Sequence, residues 1–338
     1  MERAVVTFID ILGFKNLVDS KSEHEMHEIL SLFHKFNKET PFSEFIPKDS
    51  ILAKELSETI KTIFFSDSVV RIRYAPNYEK SNACDGLYMC ILEKELISLA
   101  EIQFELLKKG ILIRGGITIG NISYNSQTNQ LFGKAMNRAY ELESKIANYP
   151  RIVIDPTFSN VYSRSIDFVE SPICIDSEML FSVDCFNERE AKLLLCDIER
   201  YSNLRSEVIE RMQREMVLQK DMLKDCRKAI IEMLLQSVRN MRISPCDPPS
   251  EHLFKIQDIK IFGKYAWLAN RFNASIDSWV KVKDVVGDNI EFPEKIHLRD
   301  FQWTDSQLEL DDRLFANIPD VYQVENLCSK IYGEFRLS

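Results

Sequence analysis

The sequence predicts an α+β fold: a ferredoxin-like domain of βαββαβ order over residues 1–185, a long amphipathic helical region over 186–244, and a helical and mixed extension over 245–338. Three observations carry this. Short β-branched runs alternate with amphipathic stretches as far as about residue 185. Beyond it the chain is charged and keeps its apolar residues at steps of three and four. Pro245-Cys246-Asp247-Pro248-Pro249-Ser250 then reads as a linker.

Ala4 to Leu12 (AVVTFIDIL) reads as a buried strand carrying one acid, Asp10, near its end. Gly13-Phe14 breaks the run, and Met26, Ile29, Leu30 and Phe33 set a helix over 24–36. Leu56 to Tyr74 reads as two strands meeting at Ser66-Asp67-Ser68, which puts a second acid at a hairpin. A helix over 88–109 stops at Gly110, and a strand over 111–119 contains Gly115-Gly116, either a close backbone approach or a simple bulge. A strand over 130–132 ends at Gly133, a helix covers 134–147, a short strand covers 151–155, and Pro156 opens another helix. The plan implies an antiparallel sheet with helices on one face. From Asn187 to Met241 the pattern is one amphipathic stripe or two; Ser250 then caps a helix reaching about Asn273, and short strands and turns follow.

A chain of 338 residues that is 45% hydrophobic can bury a core without disulfides. With 43 Lys+Arg against 52 Asp+Glu, the net charge of −9 and the lack of a dense basic run argue against nucleic-acid binding. No apolar run is long enough for a membrane span and no signal h-region follows Met1, so a cytoplasmic protein is expected. The eight cysteines form no C-x-x-C pair and read mostly as buried thiols. His24, His27 and His34 lack metal-site spacing and read as a solvated helix face.

The chemistry concentrates in the two acids. Taken alone, Asp10 reads as well as a helix N-cap or buried hydrogen-bonded acid as it does as a metal ligand, and Asp67 as a hairpin residue. If the first strand pairs with the hairpin, both carboxylates converge at one end of the sheet, where hard oxygen donors suit Mg²⁺ or Mn²⁺. The turn from Ile11 to Lys15 opens a helix at Phe14 and Lys15, whose free N–H groups suit a phosphate, although Lys15 also fits as a solvated first-turn residue.

These residues carry a resemblance. FIDILGF at 8–14 resembles the F-x-D-I-x-G-F signature of class III nucleotidyl cyclases. FFSDSVV at 64–70 resembles the family's second metal segment, RGGITIGNI at 114–122 its R-x-G-I-x-x-G strand, and LFGKAMNRAYELES at 131–144 its G-x-x-V-N-x-A-x-R-L-E helix. The resemblance implies that Asp10 and Asp67 hold two Mn²⁺ or Mg²⁺ ions with help from the Ile11 carbonyl, and that Asn137 positions the ribose. It implies closure of a 3′-hydroxyl onto the α-phosphate of a nucleoside triphosphate, with release of pyrophosphate. It also implies a head-to-tail homodimer, because the metal acids and Asn137 lie too far apart in one chain to share a site.

Departures from the pattern set the specificity. Ile63 and Gln130 stand where adenylyl cyclases read the purine with Lys and Asp, and the bulky Phe64 and Phe65 follow Ile63. The family's transition-state Arg is Glu141 here, which leaves Arg114 and Arg138 as candidate substitutes. This combination, with the Lys264–Asn273 segment, resembles the pyrimidine cyclases of bacterial Pycsar anti-phage systems. That implies UTP or CTP as substrate and a cyclic pyrimidine monophosphate read by a separate effector protein. Gln130 presents both a carbonyl and an amide, so uracil and cytosine both fit. The alternatives are an inactive cyclase-like nucleotide-binding protein and a purine cyclase.

Overall fold

Strand β1 (Glu2–Ile11) organises the first part of the chain, because its residues are apolar towards both sides. In the computed structural model, whose described residues are 1–38, 60–74, 84–158, 172–176, 178–200, 205–240, 249–298 and 301, Val5, Ile9 and Ile11 enter one core and Ala4, Val6 and Phe8 another. β3 (Ser68–Tyr74) and β4 (Ile113–Asn125) flank β1, both antiparallel, and β2 (Ile60–Phe65) lies outside β3. β5 (Gln130–Phe132) pairs with the far end of β4. β6 (Ile152–Ile154) runs parallel to β4, and β8 (Phe181–Val183) and β7 (Ile173–Ile175) complete the order β2-β3-β1-β4-β6-β8-β7.

The sheet is therefore mixed, not antiparallel throughout as the sequence suggested. The chain leaves β4 through β5 and a helix and returns in the same direction, which is what a parallel neighbour requires. Nor do helices keep to one face. α1 (Phe14–Ser20), α2 (Glu23–Lys38) and α3 (Cys84–Lys108) lie on one side, where Ile29, Phe33, Leu92, Leu96 and Leu99 pack on Val5, Ile9 and Ile11. α4 (Lys134–Glu141), continued by a π-helical turn (Leu142–Ile146), covers the other, with Ala135 and Ala139 against Ala4, Val6 and Phe8. Small residues on α4 and glycines on β4 permit this contact: a Cβ at Gly116 would lie 2.4 Å from both the Ala139 oxygen and the Leu142 Cβ. The β1–β4 register runs unbroken past Gly115-Gly116, so the pair is a close approach and not a bulge.

The face under α3 holds a buried ion cluster. Arg71 donates from Nε and Nη2 to both Glu95 oxygens (2.7 and 3.0 Å) and from Nη1 to the Phe33 carbonyl. Arg73 donates to the same carboxylate and to Ser98, and Thr7 adds a bond at 3.1 Å. Burial pushes the Glu95 carboxyl up, but the charges and hydrogen bonds of Arg71 and Arg73 outweigh it and hold it at about 2. Strands β1 and β3 are thereby tied to α3 by polar bonds as well as packing.

The chain divides into two compact units, Met1–Leu193 and Leu194–Ser338, and the division between them falls inside α5 (Glu188–Arg200). The helical pattern resolves into two stripes, α5 and α6 (Arg205–Asn240). α7 runs Pro249–Val286, thirteen residues beyond the expected end at Asn273. It begins at Pro249, which suits a first helical position, so Ser250 lies inside the helix and does not cap it. Leu223, Cys226, Ile230 and Leu234 of α6 and Phe272 and Trp279 of α7 are buried. Asn273 exchanges two 2.8 Å bonds with the Ile296 backbone, which holds the segment after α7. Residues 288–297 form no strand, and 302–338 lie outside the described residues.

Other expectations resolve simply. The strand at 111–119 continues to Asn125, and only a 3₁₀ turn, Pro156–Phe158, is described after Pro156. His24 and His27 are exposed and face Glu28 and Glu23 one turn away, as a solvated helix face does. Cys185 and Cys226 are buried thiols, whereas Cys196 is exposed. Among the described residues no helix is long and apolar enough to cross a membrane.

Candidate functional site

Asp10 stands at the end of β1, opposite Ser68 of β3 on one side and Arg114 of β4 on the other. It points to the face that α4 covers, because it follows Phe8 by two residues. Asp67 occupies the two-residue turn between β2 and β3, where Ser66 takes a φ of 55°. The Ile11 N–H donates to the Asp67 carbonyl at 2.9 Å, which fixes the turn against the end of β1. The pairing that was conditional in the sequence is present, and both acids sit at one end of the sheet.

Arg114 and Glu143 complete the cluster. The Arg114 Nε–H donates to Asp10 Oδ2 at 3.0 Å. Glu143 Oε1, on the π-helical turn, lies 2.8 Å from the same Nε, yet no hydrogen is directed at it, so it is a buried acceptor without a donor. The residue is only 3% exposed. Burial pushes its carboxyl up; Arg114 opposes this, while Asp10 and Asp67 push it further. Asp10 and Glu143 thus share one guanidinium, and Asp67 stands near enough to Glu143 for its charge to act there. That excess of negative charge, with an unsatisfied buried oxygen beside two hard donors, fits a divalent cation such as Mn²⁺ or Mg²⁺ held by Asp10 and Asp67. Among the described residues no group of three or more His, Cys, Asp or Glu side chains is placed to hold a metal ion, so the candidate rests on the pair.

Sequence reasoning missed Glu143 as a site residue. The signal was its place on the stripe Ala135, Ala139, Leu142, where an acid on an apolar face calls for a partner.

The other expected residues divide into two groups. Ile63 packs on the Phe8 side of the sheet, on the face of Asp10, and Phe65 at the end of β2 is 43% exposed. Phe64 faces the opposite side, against Phe33. The Phe14 ring also packs into that opposite core, while Lys15 is exposed at the start of α1. Gln130 pairs with Asn125, and β4 separates it from Arg114 by on the order of 35 Å at about 3.3 Å per residue. Asn137 is exposed on α4. One chain therefore does not bring Gln130 to the acids. Arg138 is bound to Asp155 through Nε (3.0 Å) and Nη2 (2.8 Å), and Asp155 also accepts from Thr118 and the Thr157 N–H. Glu141 faces Lys145 and Arg138 on the helix exterior.

No protein-family model matches this chain, and no curated protein matches it.

Proposed function

We propose that the protein is a pyrimidine nucleotide cyclase, converting UTP or CTP to the 3′,5′-cyclic monophosphate and pyrophosphate. The observation that carries this reading is the convergence of Asp10 and Asp67 at the end of β1, beside Arg114. The strand order, with α4 laid on the face of Asp10, supports a ferredoxin-like class III cyclase domain. In this reading the protein works in the cytoplasm, and its product is a messenger for anti-phage defence, read by a separate effector.

Asp10 and Asp67 would hold Mn²⁺ or Mg²⁺, assisted by the Ile11 carbonyl. When bound, the ions lower the pKa of the attacking 3′-hydroxyl and neutralise phosphate charge. Arg114 stands beside the acids, where it offers donors to a transferring phosphoryl group. Ile63 and Phe65 narrow the base pocket, and Phe14 and Lys15 present backbone N–H groups to the phosphates. Asn137 orients the ribose and Gln130 reads the base edge, both supplied by the second subunit of a head-to-tail homodimer. The remoteness of Gln130 from Asp10 along β4 supports that assembly.

A second reading, a non-catalytic nucleotide-binding homologue, is favoured by one observation: Glu141 stands at the transition-state position, and Arg138, a candidate replacement, is already bound to Asp155. One experiment separates the readings. The pure protein is incubated with each of the four ribonucleoside triphosphates and Mn²⁺, and products are identified by mass spectrometry. Cyclic UMP or cyclic CMP is expected. Cyclic AMP or cyclic GMP as the main product refutes the base assignment, and no product with any nucleotide favours the non-catalytic reading.

A further inference from the structure

The geometry points to Glu143 as a positioning residue that takes over Arg114 when a divalent cation occupies Asp10, and so makes the acid pair available to metal. This rests on the reading of Asp10 and Asp67 as metal ligands.

The argument starts from one hydrogen and two acceptors. An arginine Nε carries a single N–H, and here it is directed at Asp10 Oδ2, 3.0 Å away. Glu143 Oε1 is at least as close, at 2.8 Å, but receives no hydrogen. A buried carboxylate oxygen without a donor is costly, and so is a partly buried guanidinium that loses its counter-charge. Each cost arises in one state of the site. With the acids free of metal, Arg114 serves Asp10 and leaves Glu143 unsatisfied. A cation on Asp10 would compete with Arg114 for this carboxylate and repel the guanidinium. The guanidinium then needs only a small rotation to direct its N–H to Glu143, which satisfies both groups at once.

The fold holds Glu143 ready for this. The π-helical turn that carries it is seated against β4 at Gly116, whose missing side chain leaves room for the Leu142 Cβ and the Glu143 N–H. The Glu143 backbone therefore cannot drift from Arg114, two residues along the same strand.

Titration with Mn²⁺ alone, followed by the paramagnetic resonance of free Mn²⁺, tests the inference. Glu143→Gln should weaken binding by about tenfold or more, the scale on which groups supporting a metal ligand act. The effect of this substitution must also run through Arg114. In an Arg114→Met background, where nothing competes for Asp10, the same Glu143→Gln change should cost at least about fivefold less, because coupled neighbours are non-additive. Equal losses in both backgrounds, or no loss in either, overturn the inference: Glu143 would then act through its own charge or not at all. A second measurement needs no change at Glu143. The Arg114 Nε–H nuclear resonance, assigned by its disappearance in Arg114→Met, should shift on adding Mg²⁺ to the unmodified protein; an unmoved resonance at saturating Mg²⁺ refutes the transfer. Failure of the unmodified protein to bind Mn²⁺ is a different result, since it removes the metal assignment itself and the inference with it.

Discussion

Replacing Gly116 by alanine tests the contact that seats α4 on the sheet. A Cβ there would lie 2.4 Å from the Ala139 oxygen and the Leu142 Cβ, and 3.0 Å from the Glu143 nitrogen. Carbon atoms rest at about 3.5–4.0 Å, so α4 and its π-helical turn must retreat by roughly 1 Å. Two of the three obstacles are backbone atoms, which puts the cost at the upper end of overpacking, about 3 kcal/mol. Alanine's smaller unfolded-state freedom returns roughly 0.4–1 kcal/mol, leaving a net loss of about 2–2.5 kcal/mol. Gly120 on the same strand provides the control. Its Cβ would meet the Ala135 Cβ at 3.2 Å, a contact relieved by a few tenths of an ångström, so Gly120→Ala should stay within about 1 kcal/mol of the parent. Residues 1–193 contain no tryptophan, so no tryptophan of this unit reports the change by fluorescence. Amide hydrogen exchange of β1 and β4 peptides does. If Gly116→Ala protects these strands as well as Gly120→Ala, the helix is not seated on Gly116 and the account of this face fails.

Glu95→Gln should destabilise the first unit by about 3–5 kcal/mol, because it leaves the buried Arg71 and Arg73 without their anion. Glu95 is held below its unfolded value, so its contribution is complete above about pH 4.5 and is lost as pH falls towards about 2; that acid-dependent loss should be missing in Glu95→Gln, and equal acid sensitivity of the two proteins in urea unfolding counts against the cluster. Asp10→Ala and Asp67→Ala should each abolish cyclic nucleotide formation while keeping the fold, as judged by circular dichroism; activity within about tenfold of the parent sinks the metal assignment. Asp67→Ala and Asn137→Ala proteins should be inactive alone, yet after subunit exchange they should recover about a quarter of the parent activity per site, that being half the dimers times half their sites. No recovery, with exchange verified by mass, places the whole site within one chain.

Much of the candidate site was legible because its signals are local. An acid closing an apolar β-branched run, a second at a hairpin turn and a glycine pair in a strand each stand out within a few residues, and β1, β2 and β3 lie close to where periodicity put them. One local signal went unread: Ser22 and Glu25 exchange backbone bonds in a capping box that starts α2. β7 and β8 are three residues each, too short for alternation to register. α7 outruns its expected end because packing of Ile276, Trp279 and Val282 extends the helix past the point where sequence pattern suggested a stop.

The sequence by itself determined the mixed α and β character, the central strand, and the two acids, since each follows from the order of side chains along a few turns or one strand. Only the tertiary structure decided which charges meet. Arg114 reaches Asp10 across 104 residues, Arg71 reaches Glu95 from a different element, and Arg138, a candidate substitute for the transition-state Arg, is bound to Asp155. It also decided that β4 and β6 run parallel, that helices occupy both faces, and that Glu143 lies beside the acids. The physical reason is that a charge's partner is set by strand neighbours and helix seating, which depend on contacts between distant segments, whereas periodicity reports only which face a residue occupies.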